Sequence, residues 1–353
     1  MLDFNSVKLK HIALHKVGNK VQEEDLVLGE FELALEEGSN LQKGVMEYFL
    51  KPIKEGAMYH FWDESGDLNL NEMFGFARRL FANPFDEFML QSQNMAKHLY
   101  GNSTHPRIKG GEFYVAYLED CIVDGDVVDA IGLFKSENKE RFLKVSDSEN
   151  GQFELKQEEG VNIKKLDKGC LIVKSEEDKG FKVILKDSPQ KSVEAQYWKE
   201  SFLRLMARED SYYHTQNYLQ LCRGFVEDVF NEDHNVEKPQ QIDLLNRSLK
   251  YFSEKDEFNV VEFENEVIEE PQVIDAFSDY KKDFKEKYEI PVYDEFNISS
   301  QAVKKSKKDF KSLIKLDGGK VQIAVKGNEQ YIEKGFDNDK NMNYYIVYFH
   351  EEE

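Results

Sequence analysis

Apolar and polar positions alternate with a period of two over residues 7–17, with Val7, Leu9, His11 and Ala13 on one face of a predicted strand. A second strand is expected over 26–35. The period then changes to that of a helix over 39–51, where Leu41, Val45, Tyr48 and Phe49 form the apolar stripe. Two more amphipathic helices are predicted over 71–81 and 84–100. They are separated at Asn83–Pro84, a proline suited to a first helical turn. Gly110–Gly111 ends this stretch. From residue 112 to about 186 short strand-like runs follow one another, at 113–118, 127–134, 141–145, 153–157, 169–174 and 181–185. Asp124–Gly125, Asn150–Gly151 and Lys179–Gly180 supply the turns. Strands at this spacing imply an antiparallel meander.

Helical periodicity returns over about 193–288. Tyr197, Trp198, Phe202 and Leu205 share one face of a first helix, a second runs over 213–230, and Lys238–Pro239 marks a break before a third. The last segment carries a lysine-rich stretch at 302–316 and strand-like runs at 321–325 and 344–349. Asp317–Gly318–Gly319 is placed as a hairpin turn between 313–316 and 321–325. The expected fold class is therefore α+β. An N-terminal domain with an antiparallel meander sheet and helices spans 1–190. A helical region spans 191–296, and a small C-terminal unit of basic helix plus β-hairpin spans 297–353.

Within this pattern, 131–145 (IGLFKSENKERFLKV) predicts a β-hairpin. An apolar strand is followed by Ser136, Glu137 and Asn138 as the turn, then by a second strand with Lys139, Arg141, Leu143 and Val145 on one face. Together with HIALHKV at 11–17, VNIKKLDKGCLIV at 161–173, GFKVILKD at 180–187 and AQYWKESFLRLMARED leading into SYYHTQNYL at 195–219, this segment resembles the 37-kDa nucleoid-associated protein family, bacterial proteins that co-purify with the chromosome. The resemblance covers roughly residues 7–230. It implies association with DNA at the bacterial nucleoid and carries no catalytic motif with it.

Composition sharpens this expectation and also opposes it. The 353 residues are 33% charged and 40% hydrophobic, as in a soluble globular protein, yet the net charge is −21. Nonspecific DNA binding draws on counterion release by clustered Lys and Arg, so an acidic chain must concentrate its cations locally. What a phosphate feels is the field within about 8 Å at physiological salt. Cys121, Cys170 and Cys222 are far apart and read as reduced thiols, without disulfide or metal spacing. No run approaches the ~18 apolar residues of a membrane span, and the N-terminus lacks a signal-peptide stretch, so a cytoplasmic, nucleoid location is expected with no membrane partner.

Two cationic groups are candidates for phosphate contact. One is the predicted hairpin, with Lys135, Lys139, Arg141 and Lys144. Its alternative is a solvated strand whose cations pair with Glu137 and Glu140. The other is Lys304, Lys305, Lys307, Lys308 and Lys311, the densest positive run in the chain. On a helix, Lys304, Lys307, Lys308 and Lys311 would form a stripe. That stripe could equally dock on the acidic run 262–270 of its own chain. Lys164, Lys165 and Lys168 form a weaker third group.

Other patterns favour plain structural roles. His11 and His15 lack the glutamate of a helical zinc motif. Asp337, Asp339 and Asn341 begin like a calcium loop, but Met342 stands where glycine is required. Asp124, Asp126 and Asp129 suit turns. Tyr197, Trp198, Tyr212 and Tyr213 could stack on bases, although their helical spacing suits core packing. Phosphate-cradling, nucleophile-elbow and zinc-finger motifs are missing from the sequence. The expected protein is nonenzymatic, needs no cofactor, binds DNA (double-stranded) as a homo-oligomer, and makes mainly backbone contacts. The rival reading is an acidic interaction adaptor or DNA mimic that engages a DNA-processing protein partner. A nuclease with dispersed acids is the third.

Overall fold

The computed structural model describes residues 2–54, 56–148, 152–186, 196–234, 236–310, 313–324 and 332–351. The chain divides into two units, residues 1–208 and 209–353.

The first unit contains strands β1 (Leu2–Asp3), β2 (Lys8–Val17), β3 (Leu26–Val27), β4 (Met58–Phe61), β5 (Gly111–Val123), β6 (Asp126–Ser136), β7 (Lys139–Ser148), β8 (Gln152–Val161), β9 (Lys168–Val173), β10 (Lys182–Leu185) and β11 (Leu205–Ala207). Nine of them form one antiparallel sheet in the order β11-β4-β10-β9-β6-β5-β2-β3, with β1 continuing alongside β5 beyond the start of β2. Strands β7 and β8 are not in it. They pair only with each other, as a two-stranded ribbon.

This corrects two expectations. The meander does not run through 141–157, because the chain leaves the sheet after β6 and returns as β9, which pairs with β6 through Lys135↔Lys168 and Ala130↔Val173. The predicted hairpin about Ser136–Asn138 is also not formed. β6 takes its hydrogen bonds from β5 and β9, and β7 takes its own from β8. The reason is burial. Residues 130–134 are buried without a break, so β6 is a central strand covered on both faces, whereas β7 alternates and is exposed on both.

Three helices cover the sheet. Helix α1 (Asn40–Leu50) packs one face through Tyr48, Phe49 and Leu50, with the Phe49 ring stacked on Phe134 at 4.1 Å. Helices α2 (Glu72–Ala82) and α3 (Pro84–Asn102) pack the other through Phe74, Ala77, Leu80, Phe88, Met95 and Leu99. Ser39, Asn71 and Asn83 cap these helices by accepting a main-chain N–H, and Pro84 occupies the first turn of α3.

The helix expected over the start of the next segment is instead one wide π turn, Tyr197–Phe202. It brings Tyr197, Trp198 and Phe202 inward together against the α3 side of the sheet. Arg204, with φ 51°, ends it, and the chain re-enters the sheet as β11. The Asn71 side-chain amide holds this corner by donating to the carbonyls of Trp62 and Arg204.

The second unit is built on helices Ser211–Asp228, Lys238–Glu254 and Pro271–Tyr288, with a short helix Ser300–Ser306. Pro239 and Pro271 sit in first helical turns, so these prolines start helices. The core is aromatic. Tyr218 lies 4.1 Å from Phe258, and Phe252 stacks on Phe258. Strands β12 (Glu257–Asn259) and β13 (Glu295–Asn297) pair with each other. Strands β14 (Leu313–Leu316) and β15 (Val321–Ala324) form the hairpin expected about Asp317–Gly319. A further hairpin joins β16 (Ile332–Asp337) and β17 (Met342–Val347).

Candidate nucleic-acid interface

Lys135 is at the end of β6, and its side chain is fully buried. Its ammonium donates to the Lys109 carbonyl at 2.6 Å, the Tyr197 hydroxyl at 3.1 Å and Glu137 Oε1 at 3.2 Å. Burial pushes the ammonium below the usual lysine value, and the Glu137 carboxylate opposes that shift. A buried, paired ammonium presents nothing to a phosphate. Lys135 therefore leaves the set of surface contacts.

The remaining cations of that region lie on or beside the ribbon, and each faces an acid. Lys139 pairs with Glu112 at 2.6 Å, Arg141 with Glu159 at 2.8 Å and Lys144 with Glu158 at 3.3 Å. The partners come from β5 and β8 rather than from Glu137 and Glu140. Exposed pairs of this kind are worth about 0–1 kcal/mol each, and they reduce the net positive field.

Lys304 and Lys305 lie in the last turn of the helix Ser300–Ser306, whose N-cap is Ser299. Cations there complement the negative end of the helix dipole. Ala302, Val303 and Ser306 point inward, leaving Lys304 exposed and Lys305 half-buried. The helix ends at Ser306, so Lys307 and Lys308 lie on the following turn, both exposed. Lys304, Lys307 and Lys308 have no ion pair with any described residue. Lys311 lies outside the described residues. Three of the five acids in the run 262–270 are engaged elsewhere. Glu262 and Glu266 pair with Lys255 at 2.7 and 3.3 Å, and Glu269 pairs with Arg247 at 3.4 Å.

The other constellations have structural roles. Trp198, Tyr197 and Tyr212 are buried, and Trp198 packs on Phe202 at 4.9 Å, so none of the three offers a face for a base. His11 Nδ1 lies 3.0 Å from Glu32, and His15 Nδ1 accepts the Gly29 N–H at 3.0 Å. Asp337 accepts the main-chain N–H groups of Asp339 and Lys340 in the β16–β17 turn. Asp124 pairs with Lys182, and Asp129 accepts the Tyr117 hydroxyl. Among the described residues no group of three or more His, Cys, Asp or Glu could hold a metal ion. All three cysteines are free thiols and buried.

A profile of known proteins described as nucleoid-associated protein YejK matches residues 13–343, nearly the full length. The chain belongs to the nucleoid-associated protein YejK family. A search of curated proteins found no match. Family membership carries a nucleoid-associated role to this chain, and the match extends well beyond residue 230, to 343. None of the described helices is long and apolar enough to cross a membrane.

One cationic grouping in this nucleoid-associated chain is only partly marked in the sequence, by Lys164 and Lys165. Lys20, Arg107, Lys109, Lys164 and Lys165 are dispersed along the sequence, and only the strand order brings their loops to one end of the sheet.

Proposed function

We propose that the protein is a nonenzymatic DNA-binding component of the bacterial nucleoid, acting as a homo-oligomer through phosphate contacts with little sequence readout. The observation that carries this reading is the exposure of Lys304, Lys307 and Lys308 without acidic partners among the described residues, in a chain of net charge −21. The exposed cations of the 139–144 segment, by contrast, each face a carboxylate. Lysine supplies a point charge rather than the planar fork that reads a guanine edge, so the contacts would position the duplex without specifying its sequence.

The test is a titration of duplex DNA over a range of salt. Binding should weaken steeply, and replacing Lys304, Lys307 and Lys308 with glutamine should flatten the log–log dependence. No binding near ~50 mM salt would instead favour the adaptor reading.

That second reading has its own support in the ribbon. By register, Leu143, Val145, Leu155 and Phe153 share one face, and they are 64, 61, 63 and 75% exposed. An isolated two-stranded ribbon is marginal in water, and a contiguous apolar face of this kind suits a protein contact. Strand β7 carries more cations than anions and β8 the reverse. The face is thus complementary to a second copy of itself, which also supports the oligomer.

A further inference from the structure

We propose that the first unit holds a second phosphate-backbone site, formed by Lys20, Arg107, Lys109, Lys164 and Lys165 at one end of the nine-stranded sheet. It rests on the DNA-binding reading and adds a surface that the lysine-rich segment of the second unit does not supply.

Antiparallel pairing places the end of β2, the start of β5, the end of β6 and the start of β9 together, through Val17↔Gly111, Glu112↔Ser136 and Lys135↔Lys168. The loops that follow are fastened to one another. Asn19 Nδ2 donates to the carbonyls of His105 and Ile108, at 3.0 and 2.5 Å, and Gln22 Nε2 donates to the Pro106 carbonyl at 2.8 Å. These bonds set the Lys20 turn against the loop of Arg107 and Lys109. Gly110 permits the approach, since a Cβ there would meet Glu24 Oε2 at 2.3 Å and Gly18 Cα at 3.1 Å.

The next link is Lys109 Nζ, which donates to Asn138 Oδ1 at 2.8 Å, a neutral partner that leaves its charge intact. Asn138 in turn donates through Nδ2 to Asp167 Oδ1 at 2.7 Å. Asp167 follows the turn in which the Lys164 and Lys165 main-chain N–H groups bond to Asn162. Hydrogen bonds and short stretches of main chain therefore link the Lys20 loop to the Lys164–Lys165 turn.

Two of the acids at this end are paired with cations. Glu112 pairs with Lys139, and Glu137 with Lys135 and Tyr197. Asp167 accepts the main-chain N–H groups of Glu137 and Asn138, and Glu24 accepts that of Asn19. Glu23, Glu24 and Asp25, exposed beside Lys20, and Asp167, whose neutral donors leave its charge in place, oppose the five cations. Lys20, Arg107, Lys109, Lys164 and Lys165 are all exposed and have no ion pair with any described residue. Three inter-strand intervals separate β2 from β9, so the cations extend over about 14 Å. That distance matches about four phosphate-to-phosphate steps of one strand at their axial spacing.

The experiment titrates duplex DNA against the full chain and against the K20Q/R107Q/K109Q/K164Q/K165Q variant over a range of salt. The variant should bind more weakly at low salt, and its log–log slope should be smaller by about two to four units. In parallel, acetylation of the wild-type protein with and without duplex should show Lys20, Lys109, Lys164 and Lys165 protected relative to Lys250 and Lys285. That measurement decides the matter even if the variant misfolds. Wild-type binding with an unchanged variant slope and no protection overturns this site and leaves the DNA-binding reading in place. So does complete loss of the salt dependence in K304Q/K307Q/K308Q alone. A wild-type chain that fails to bind duplex overturns both.

Discussion

The ammonium of Lys135 donates to the Tyr197 hydroxyl at 3.1 Å, and each of the two groups also reaches Glu137 Oε1 at 3.2 Å. This closed triangle ties the last residues of β6 to the π turn and satisfies three buried polar groups at once. Removing one corner strands the others without water.

Lys135→Met should therefore destabilise the protein by about 3 kcal/mol, because the Glu137 carboxylate is left buried without its cation. Urea denaturation measures the loss. The salt slope for DNA should remain that of the wild type, since Lys135 offers no surface. A changed slope with unchanged stability would contradict this assignment.

The two exposed lysine-rich regions should separate in a salt titration. K304Q/K307Q/K308Q is expected to reduce the slope by about two to three units, near 0.9 for each lost phosphate contact. K139Q/R141Q/K144Q is expected to reduce it by less than about one unit, because each of these cations already faces a carboxylate.

A pH dependence follows from His15. Burial pushes its imidazole down to about 4 from the ordinary 6.5, and Nδ1 must remain unprotonated to accept the Gly29 N–H. The unfolded chain takes up this proton first as pH falls. The stability from this site is fully present above about pH 6.5 and is lost as pH falls towards about 4, by about 3 kcal/mol. His15→Gln should flatten that part of the stability profile, as followed by denaturant midpoints at stepped pH.

The ribbon face yields a prediction in sedimentation. L143E/L155E places charges on the exposed apolar face without touching the sheet core, so its thermal stability should stay near that of the wild type. If a second copy covers this face, the variant should sediment as a smaller species than the wild type. Equal sedimentation would remove the ribbon from the oligomer.

Much of this fold was legible in local pattern. Helices α1, α2 and α3 lie within a few residues of their predicted ranges, and the strands of the large sheet between 111 and 185 were marked by turn chemistry and period. Pairing was not legible. Apolar residues 130–134 formed an unbroken run, the sign of a strand covered on both faces, but alternation in 139–145 suggested a neighbour that β6 does not have. Strands β4 and β11 are four and three residues long and exist through long-range partners, so no local pattern announced them. The π turn carries the helical spacing of Tyr197, Trp198 and Phe202, and only the Arg204 reversal distinguishes it. Lys135 resembled an exposed tip because its counterpart Tyr197 is far away in sequence. The exposed lysines at 304–308 were visible as a dense run. Of the sheet-end cations, Lys164 and Lys165 were visible as a weak group, but their proximity to Lys20, Arg107 and Lys109 was not, because it belongs to strand order.

The large sheet finishes on β11 and β3, of three and two residues, and residues beyond β3 cross its flank where the Leu33 N–H donates to the Ile12 carbonyl. A protein crowded along a chromosome meets its own copies at high local concentration, where a long open strand would template irreversible stacking. Such blunt borders leave few backbone groups for that fusion. Contacts between neighbouring copies along this sheet would then fall to side chains, which salt and competition can release.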